Sequence, residues 1–363
     1  MTTDIVIVAG GTGGHVYPAI ALALHLLKDG KKIVFLTDRR GIIYLKPYLD
    51  SLHPIVLPLD RKGAGVLSLI KLALQVIQSF FISLKYVKST KDVIGFSGFP
   101  TLATLLAGLV MGRTLYVHEQ NAVLGKVNRV VSPFLKKIFT STKKIARVPK
   151  RALDKIEFVG MPVRDDIAAL SQVAYEAPTQ CISLLIVGGS QGAQSFSDVI
   201  PKAIGMLPED LQKRLHITHQ VRPDDYTHAA DLYEQQAKYV PHLTLVPFVE
   251  DMASALKSAH LVISRSGASS VAEIAAAGRP AILIPYPFAT DDHQRANALE
   301  VTDRGGGWLI PQSEFTPLNL TTLLGKLLAE KEEGKKLLVA AQGVKDGYEK
   351  EAIKTLAQKV ILV

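Results

Sequence analysis

The sequence predicts an α/β chain built as two parallel-sheet, Rossmann-like domains facing a deep cleft. Three observations predict it. Strand-like apolar runs alternate with helical patterns along the chain, the signature of parallel strands joined by crossover helices. "DIVIVAGGTGGH" (Asp4–His15) opens the first half and "CISLLIVGGSQGAQ" (Cys181–Gln194) opens the second, each a strand, a glycine-rich turn and a helix start. A chain of 363 residues is also long enough for two domains, each with its own core.

Taken in order, Ile5–Ala9, Lys32–Leu36, Ile55–Leu57, Val93–Phe96 and Leu115–His118 read as buried strands of the first half. Ile182–Val187, His216–Gln220, Thr244–Pro247, Leu261–Ser264 and Ala281–Ile284 read as those of the second. Gly160 and Pro162 in "VGMPVRDD" break regular structure and mark a boundary. The expected domains are therefore 1–162 and 163–340, with 172–180 as a short linker. Residues 330–363 read as one charged amphipathic helix, whose part 341–363 returns to the first domain.

Composition narrows the class. With 48% hydrophobic and 21% charged residues the chain is globular and not disordered. Its one cysteine, Cys181, excludes an intrachain disulfide or a thiolate metal site and suits a reducing cytoplasm. No basic segment precedes the first strand, so no signal peptide is expected. The net charge of +9 is unevenly held: residues 1–160 carry 23 Lys+Arg against 9 Asp+Glu, the remainder 19 against 24. That asymmetry predicts an anionic partner for the first half: a membrane surface, nucleic acid or a phosphorylated substrate. Within it, 66–91 is a long apolar segment in which Ser68, Lys71, Gln75 and Gln78 recur every three or four residues, with Lys85, Lys88 and Lys91 following. It predicts a helix with a polar stripe, either a buried crossover helix or one lying on a membrane, and the two can hold for different faces.

The glycine turns point to phosphate. A strand-to-helix turn presents backbone N–H groups at the positive end of a helix dipole, and glycine lets an anion approach. The dinucleotide pattern G-x-G-x-x-G breaks at Val16 in the first turn and at Gln191 in the second, which disfavours a dehydrogenase although Asp38 ends the second strand. No Gly-Lys-Ser/Thr follows either turn, and the acidic pairs Asp165–Asp166, Asp224–Asp225 and Asp291–Asp292 are adjacent, with side chains that diverge. The remaining reading is a diphosphate held by dipoles and cations, with no obligatory metal or cofactor. In "SRSGASSVAEIAAAGRPAILIPYP" (Ser264–Pro287) a strand ends at Arg265 and a helix carries Glu273. Glu273 has two readings: the partner of Ser270 in a capping box, or a carboxylate accepting two ribose hydroxyls. His15 likewise reads as a general base beside the first turn or as a hydrogen-bonder of that turn.

Six segments, "GGTGGHVYPAIALA", "YVHEQNAVLGKVNR", "VGMPVRDD", "VGGSQGAQSFSDVIP", "SRSGASSVAEIAAAGRPAILIPYP" and "DDHQRANA", occur in an order and spacing that resembles the MurG family, the bacterial N-acetylglucosaminyltransferases of peptidoglycan synthesis. The resemblance covers essentially the whole chain. It implies a GT-B fold, with an acceptor-binding, membrane-facing first domain and a donor-binding second. The implied reaction moves N-acetylglucosamine from UDP-GlcNAc to the C4 hydroxyl of undecaprenyl-diphospho-N-acetylmuramoyl-pentapeptide (lipid I), with inversion, giving lipid II. The implied place is peripheral, on the cytoplasmic face of the inner membrane, with an anionic membrane surface and other cell-wall synthesis and division proteins as partners and no nucleic acid.

Carried over by motif, Thr12, Gly13 and Gly14 border the donor sugar and diphosphate, with His15 as the base. Asn121, Gln294 and Asn297 approach the sugar. Arg164 and Ser190 lie along the phosphates, and Arg265 offsets leaving-group charge. Val249 gives backbone contacts to uracil. Ala268, Ser269, Ser270, Val271, Ala272 and Glu273 hold the diphosphate and ribose, with Glu273 on the ribose. Lys71, Lys85, Lys88 and Lys91 fringe the membrane and acceptor face. The sequence departs from the family at "GFSGFPT", where a glycine loop with tyrosine is usual, and at His293, which replaces a glutamine. The rival readings are a UDP-GlcNAc 2-epimerase-like enzyme of the same architecture and a non-catalytic nucleotide-sugar scaffold at the membrane.

Overall fold

Seven parallel strands make the sheet of the first unit: β1 Ile5–Val8, β2 Ile33–Asp38, β3 Ile55–Leu57, β4 Asp92–Gly95, β5 Thr114–Glu119, β6 Lys137–Thr140 and β7 Ile156–Phe158, in the order β3-β2-β1-β4-β5-β6-β7. Every residue of β1 is fully buried. Helices cover both faces of such a sheet, which is why its central strands, such as β1, are continuous apolar runs without alternation. Six more parallel strands make the second sheet: β8 Ile182–Val187, β9 Leu215–Gln220, β10 His242–Val246, β11 Leu261–Ser264, β12 Ala281–Leu283 and β13 Gly307–Leu309, in the order β10-β9-β8-β11-β12-β13. The computed structural model describes residues 3–60, 65–189, 193–328 and 333–361.

In both sheets the order reverses at one place, between β1 and β4 and between β8 and β11. The chain leaves those strands in opposite directions and opens a crevice at their carboxyl ends, where ligands of open α/β sheets bind. The first glycine turn lies there, ahead of α1 (Gly13–Lys28), and Gly189 stands just after β8.

The two compact units are Met1–Arg164 with Glu349–Val363, and Asp165–Tyr348. Residues 172–180 belong to the second unit, where the Tyr175 hydroxyl donates to the His260 carbonyl at 3.0 Å and its ring packs on the core. The C-terminal stretch is not one helix, as its charge pattern suggested, but two, Glu333–Lys345 and Ala352–Ile361. The first ends in tight turns, with the Gly347 N–H on the Val344 carbonyl and the Tyr348 N–H on the Lys345 carbonyl, both at 3.0 Å. The second of these helices packs Leu356, Ala357 and Val360 into the core that holds Leu22 and Leu26 of α1.

The apolar segment forms α2 (Val66–Val87), packed on α3 (Phe99–Val110). Its polarity is partly inverted. Ser79 and Ser83 are fully buried, and the Ser83 hydroxyl is 3.0 Å from that of Thr104 in α3. Leu67, Ile70, Leu74, Ile77 and Phe81 recur every three or four residues and are each at least 52% exposed. The expected polar stripe does not mark the solvent side: Lys71 and Gln78 are exposed, but Ser68 and Gln75 are half-buried, and Gln75 accepts the Asp60 N–H at 3.3 Å. Among the described residues this is the helix long and apolar enough to cross a membrane, by length and composition alone. Its inner residues Leu72, Val76, Phe80 and Leu84 nevertheless pack on the core of the unit.

Candidate active site

In the first unit the turn after β1 is braced from below. Gly11 has φ +87°, a conformation that favours glycine, and its N–H donates to Asp38 Oδ1 at 2.9 Å. Gly41 N–H donates to the same oxygen at 2.7 Å, and Asp38 is buried. Its Oδ1 therefore accepts two backbone N–H groups and its Oδ2 lies 3.8 Å from Arg40 Nη2, a bracing role in place of the dinucleotide-ribose contact its position at the end of β2 had suggested. Thr12 is the N-cap of α1 in extended conformation, and its side chain makes no capping bond. The Thr12 carbonyl accepts the His15 and Val16 N–H groups at 3.0 and 3.2 Å, and the positive end of the helix dipole lies at this turn. Among the described residues a Cβ at Gly14 would meet Thr12 Oγ1 at 3.6 Å, an ordinary contact, whereas one at Gly13 would run into the Tyr17 ring at 2.9 Å.

The half-buried His15 lies on that turn, with Nδ1 2.8 Å from Gln120 Oε1. Gln120 follows β5, and its amide nitrogen lies 3.1 Å from His118 Nδ1 and 2.7 Å from the His118 carbonyl. His118 Nε2 lies 2.9 Å from the Gly160 carbonyl. Complete burial lowers the His118 pKa to about 4. Next in the chain, the buried Glu119 takes the Asn121 N–H and side-chain amide on Oε1, at 3.0 and 3.2 Å, and Gly125 N–H and Asn128 Nδ2 on Oε2, both at 2.8 Å. Those charge-assisted bonds fix Asn121. The Arg164 guanidinium lies over the Tyr17 ring, 5.3 Å from its centroid. Thr12, Gly13, Gly14, His15, Asn121 and Arg164 are therefore brought together around the start of α1. Across the switch point, in "GFSGFPT", Ser97 has φ +61° and its hydroxyl accepts Asn128 Nδ2 at 2.9 Å.

In the second unit the turn after β8 leads to α4 (Gln194–Gly205); Ser190 lies outside the described residues. Arg265, at the end of β11, is buried. Its Nη1 donates to the Ile284 and Pro285 carbonyls at 3.1 and 3.2 Å, and its Nη2 to Ser195 Oγ at 3.1 Å. The guanidinium lies over Phe196 and Tyr286, 5.0 and 5.7 Å from the ring centroids. Burial lowers its pKa to about 10, well above neutrality, so it stays a cation.

The following helix, α5 (Ala268–Ala277), starts from Gly267 as N-cap with no side-chain capping bond. Ser270 is its third residue and Glu273 its sixth, so the capping-box reading of that pair is wrong: a box needs Ser270 at the N-cap itself. Ala268, Ser269, Ser270 and Val271 are half-buried, Ala272 is buried, and Glu273 is half-buried. Asn297, in α6 (His293–Thr302), donates Nδ2 to the Ser266 carbonyl at 3.0 Å, and Gln294 Oε1 accepts the Tyr286 N–H at 2.9 Å. Arg265, the start of α5, Gln294 and Asn297 thus form one group. Val249 follows the edge strand β10, with its side chain buried. Lys71, Lys85, Lys88 and Lys91 are all exposed, on or just after α2. Sequence reasoning assigned no role to Gln120, His118 or Ser195, although the first two stand inside the quoted "HEQN" run.

Two Rossmann-like parallel-sheet units, each with a helix start beside its switch point, make up a GT-B fold, the architecture of a class of glycosyltransferases. The N-terminal domain model of glycosyltransferase family 28 matches residues 5–140, and its C-terminal domain model matches residues 183–355. The chain belongs to glycosyltransferase family 28. A relative from Rhodospirillum centenum, named UDP-N-acetylglucosamine–N-acetylmuramyl-(pentapeptide) pyrophosphoryl-undecaprenol N-acetylglucosamine transferase, is 39% identical over 90% of this chain and 86% of its own length. One of the same name from Novosphingobium aromaticivorans is 42% identical over 87% and 81%. The crystal structure of Acinetobacter baumannii MurG superposes with a TM-score of 0.77 and 27% identity, over 99% of this chain and all of that one.

The buried His118 carries a pH dependence. Its folded pKa of about 4 lies below the ordinary 6.5, so between those values the unfolded state binds more protons and stability falls as pH falls. The loss reaches about 3 kcal/mol near pH 4. NMR titration of the His118 ring, with thermal melts across the same window, checks it; a ring that titrates near pH 6.5 contradicts it.

Proposed function

We propose that the protein transfers N-acetylglucosamine from UDP-GlcNAc to the C4 hydroxyl of the N-acetylmuramoyl-pentapeptide carried on undecaprenyl diphosphate, with inversion, making lipid II for peptidoglycan. The observation that carries the reading is His15 on the uncapped first turn of α1, held from behind by Gln120, in a chain whose relatives bear that transferase's name over most of its length.

In this reading the residues divide the work as follows. Glu273 accepts the ribose hydroxyls. The start of α5, from Ala268 through Val271 with Ala272 beneath, receives the diphosphate together with Ser190. Val249 meets uracil through its backbone. Arg265 offsets the charge of departing UDP, and Arg164 lies along the phosphates. Gln294 turns its Nε2, the donor end of its amide, toward the sugar, as do Asn121 and Asn297 their side chains. Thr12, Gly13 and Gly14 border sugar and diphosphate. As the acceptor O4 attacks the anomeric carbon, His15 takes the hydroxyl proton. The bond from that carbon to the β-phosphate oxygen breaks, and its electron pair leaves with UDP. General-base help of this kind contributes ~10²–10⁴-fold, and uncapped helix starts with Arg265 stabilise the leaving dianion.

Transfer of labelled sugar from UDP-GlcNAc to a lipid I analogue tests the reading. His15→Ala lowers kcat by ~10²-fold or more with the donor KM little changed, while Glu273→Gln raises the donor KM without loss of thermal stability. Conversion of the donor to its epimer without acceptor, or donor binding without turnover, would overturn it in favour of an epimerase or a scaffold.

The same reading puts the protein peripherally on the cytoplasmic leaflet, where its acceptor is anchored. The outer stripe of α2, from Leu67 to Phe81, continues at the same spacing into Lys85 and Lys88, with Lys71 beside it and Lys91 just beyond. An apolar face ending in cations suits an anionic lipid surface, at about 1 kcal/mol per near-surface cation. The protein is expected to co-sediment with anionic vesicles, less as salt rises, and the triple variant Lys85→Glu, Lys88→Glu, Lys91→Glu to be released while still serving a soluble acceptor. Equal vesicle binding by variant and parent would show that this face is not the contact.

A further inference from the structure

We propose that Gln120 is a positioning residue for His15: it holds the His15 proton on Nδ1, so that Nε2 is the nitrogen that takes the acceptor's proton. The proposal rests on the base reading of His15 above.

The assignment follows from two backbone carbonyls, which can only accept. His118 Nε2 is 2.9 Å from the Gly160 carbonyl, so that nitrogen carries the proton and donates it. A neutral imidazole with its proton on Nε2 has an accepting Nδ1, and burial keeps His118 neutral. The Gln120 amide nitrogen lies 2.7 Å from the His118 carbonyl, which fixes which end of the amide is nitrogen: the flipped orientation would press two oxygens together. One N–H of that nitrogen meets the His118 carbonyl, and the other meets His118 Nδ1 at 3.1 Å. Both carbonyls therefore demand the same orientation independently. Gln120 then presents Oε1 to His15, and Oε1 accepts only from a protonated Nδ1, 2.8 Å away.

The relay is anchored where the chain comes back to the first unit. Gly160 has φ +85°, its N–H donates to the Thr140 carbonyl at 3.2 Å, and a side chain there would run into Glu349. The returning C-terminal segment thereby keeps Gly160 a glycine and its carbonyl aimed at His118. Fixing the tautomer of a catalytic imidazole through a partner on its other nitrogen is a known source of rate, because the wrong tautomer has no lone pair where the proton must go.

The test is ¹⁵N NMR of the ring nitrogens in ¹⁵N-histidine-labelled full-length protein at pH 7.5, with His15 and His118 assigned by single His→Asn variants. The expected result is opposite tautomers, the proton on Nδ1 in His15 and on Nε2 in His118. Gln120→Leu is expected to lose this preference at His15 and to lower kcat by ~10–100-fold with the donor KM unchanged. A wild-type His15 protonated on Nε2, or a Gln120→Leu enzyme with the parent kcat, overturns the relay. These outcomes are distinct from failure of the base itself. His15→Ala with near-parent kcat would remove the base and leave the tautomer pattern standing, whereas a His15 proton on Nε2 removes the relay whatever the His15→Ala rate.

Discussion

Helix starts that the protein does not cap are the constraint on which the rest depends. Thr12, Ala193 and Gly267, the N-caps of the helices after β1, β8 and β11, make no side-chain capping bond. A cap is worth about 1 kcal/mol, and α1, α4 and α5 each do without one. A helix start of this kind can receive an anion through its backbone N–H groups and dipole. The glycine-rich turns allow the approach, and Asp38 braces one of them from the buried side. Arg265 adds a cation that is itself held by carbonyls and aromatic faces, so its position is set before any ligand arrives.

The first unit sets His15, the proposed base, beside its own glycine turn. His15 is reached through a chain of hydrogen bonds that ends at Gly160, beside the returning C-terminal segment. The C-terminal helix from Ala352 to Ile361 buries Leu356 and Val360 against the same core as α1. The position of the base thus depends on chain far from it in sequence, and packing and chemistry share one scaffold.

Much of this was legible in the sequence. The central strands, the two glycine turns and the order of motifs carried the fold and the reaction class, because buried parallel strands and phosphate-approaching turns leave strong local patterns. Three strands were not. β6, β7 and β13 are short, with Lys137 opening β6 and Glu157 central in β7, and glycines lead into β13, so none makes an apolar run. Asp38 and Glu273 were each given a second reading that only geometry could remove. A carboxylate at a strand end looks the same whether it faces a ribose or the N–H of Gly11, and Ser-x-x-Glu looks like a capping box until Gly267 is seen to be the N-cap. The Gln120 relay was invisible because its links lie 42 and 105 residues apart. In α2 the surface ran opposite to the usual rule, with serines inside and leucines outside, so the polar positions of the sequence did not mark the solvent side.

The central claim is that uncapped helix starts and fixed cations hold the donor's diphosphate. Calorimetric binding of UDP and of uridine to the same protein, each with EDTA present, tests it most directly. The account predicts that UDP binds in EDTA and that uridine binds at least ~10²-fold more weakly, since the diphosphate supplies most of the charge-assisted contacts. Equal affinities for the two, or loss of UDP binding on adding EDTA, would contradict it.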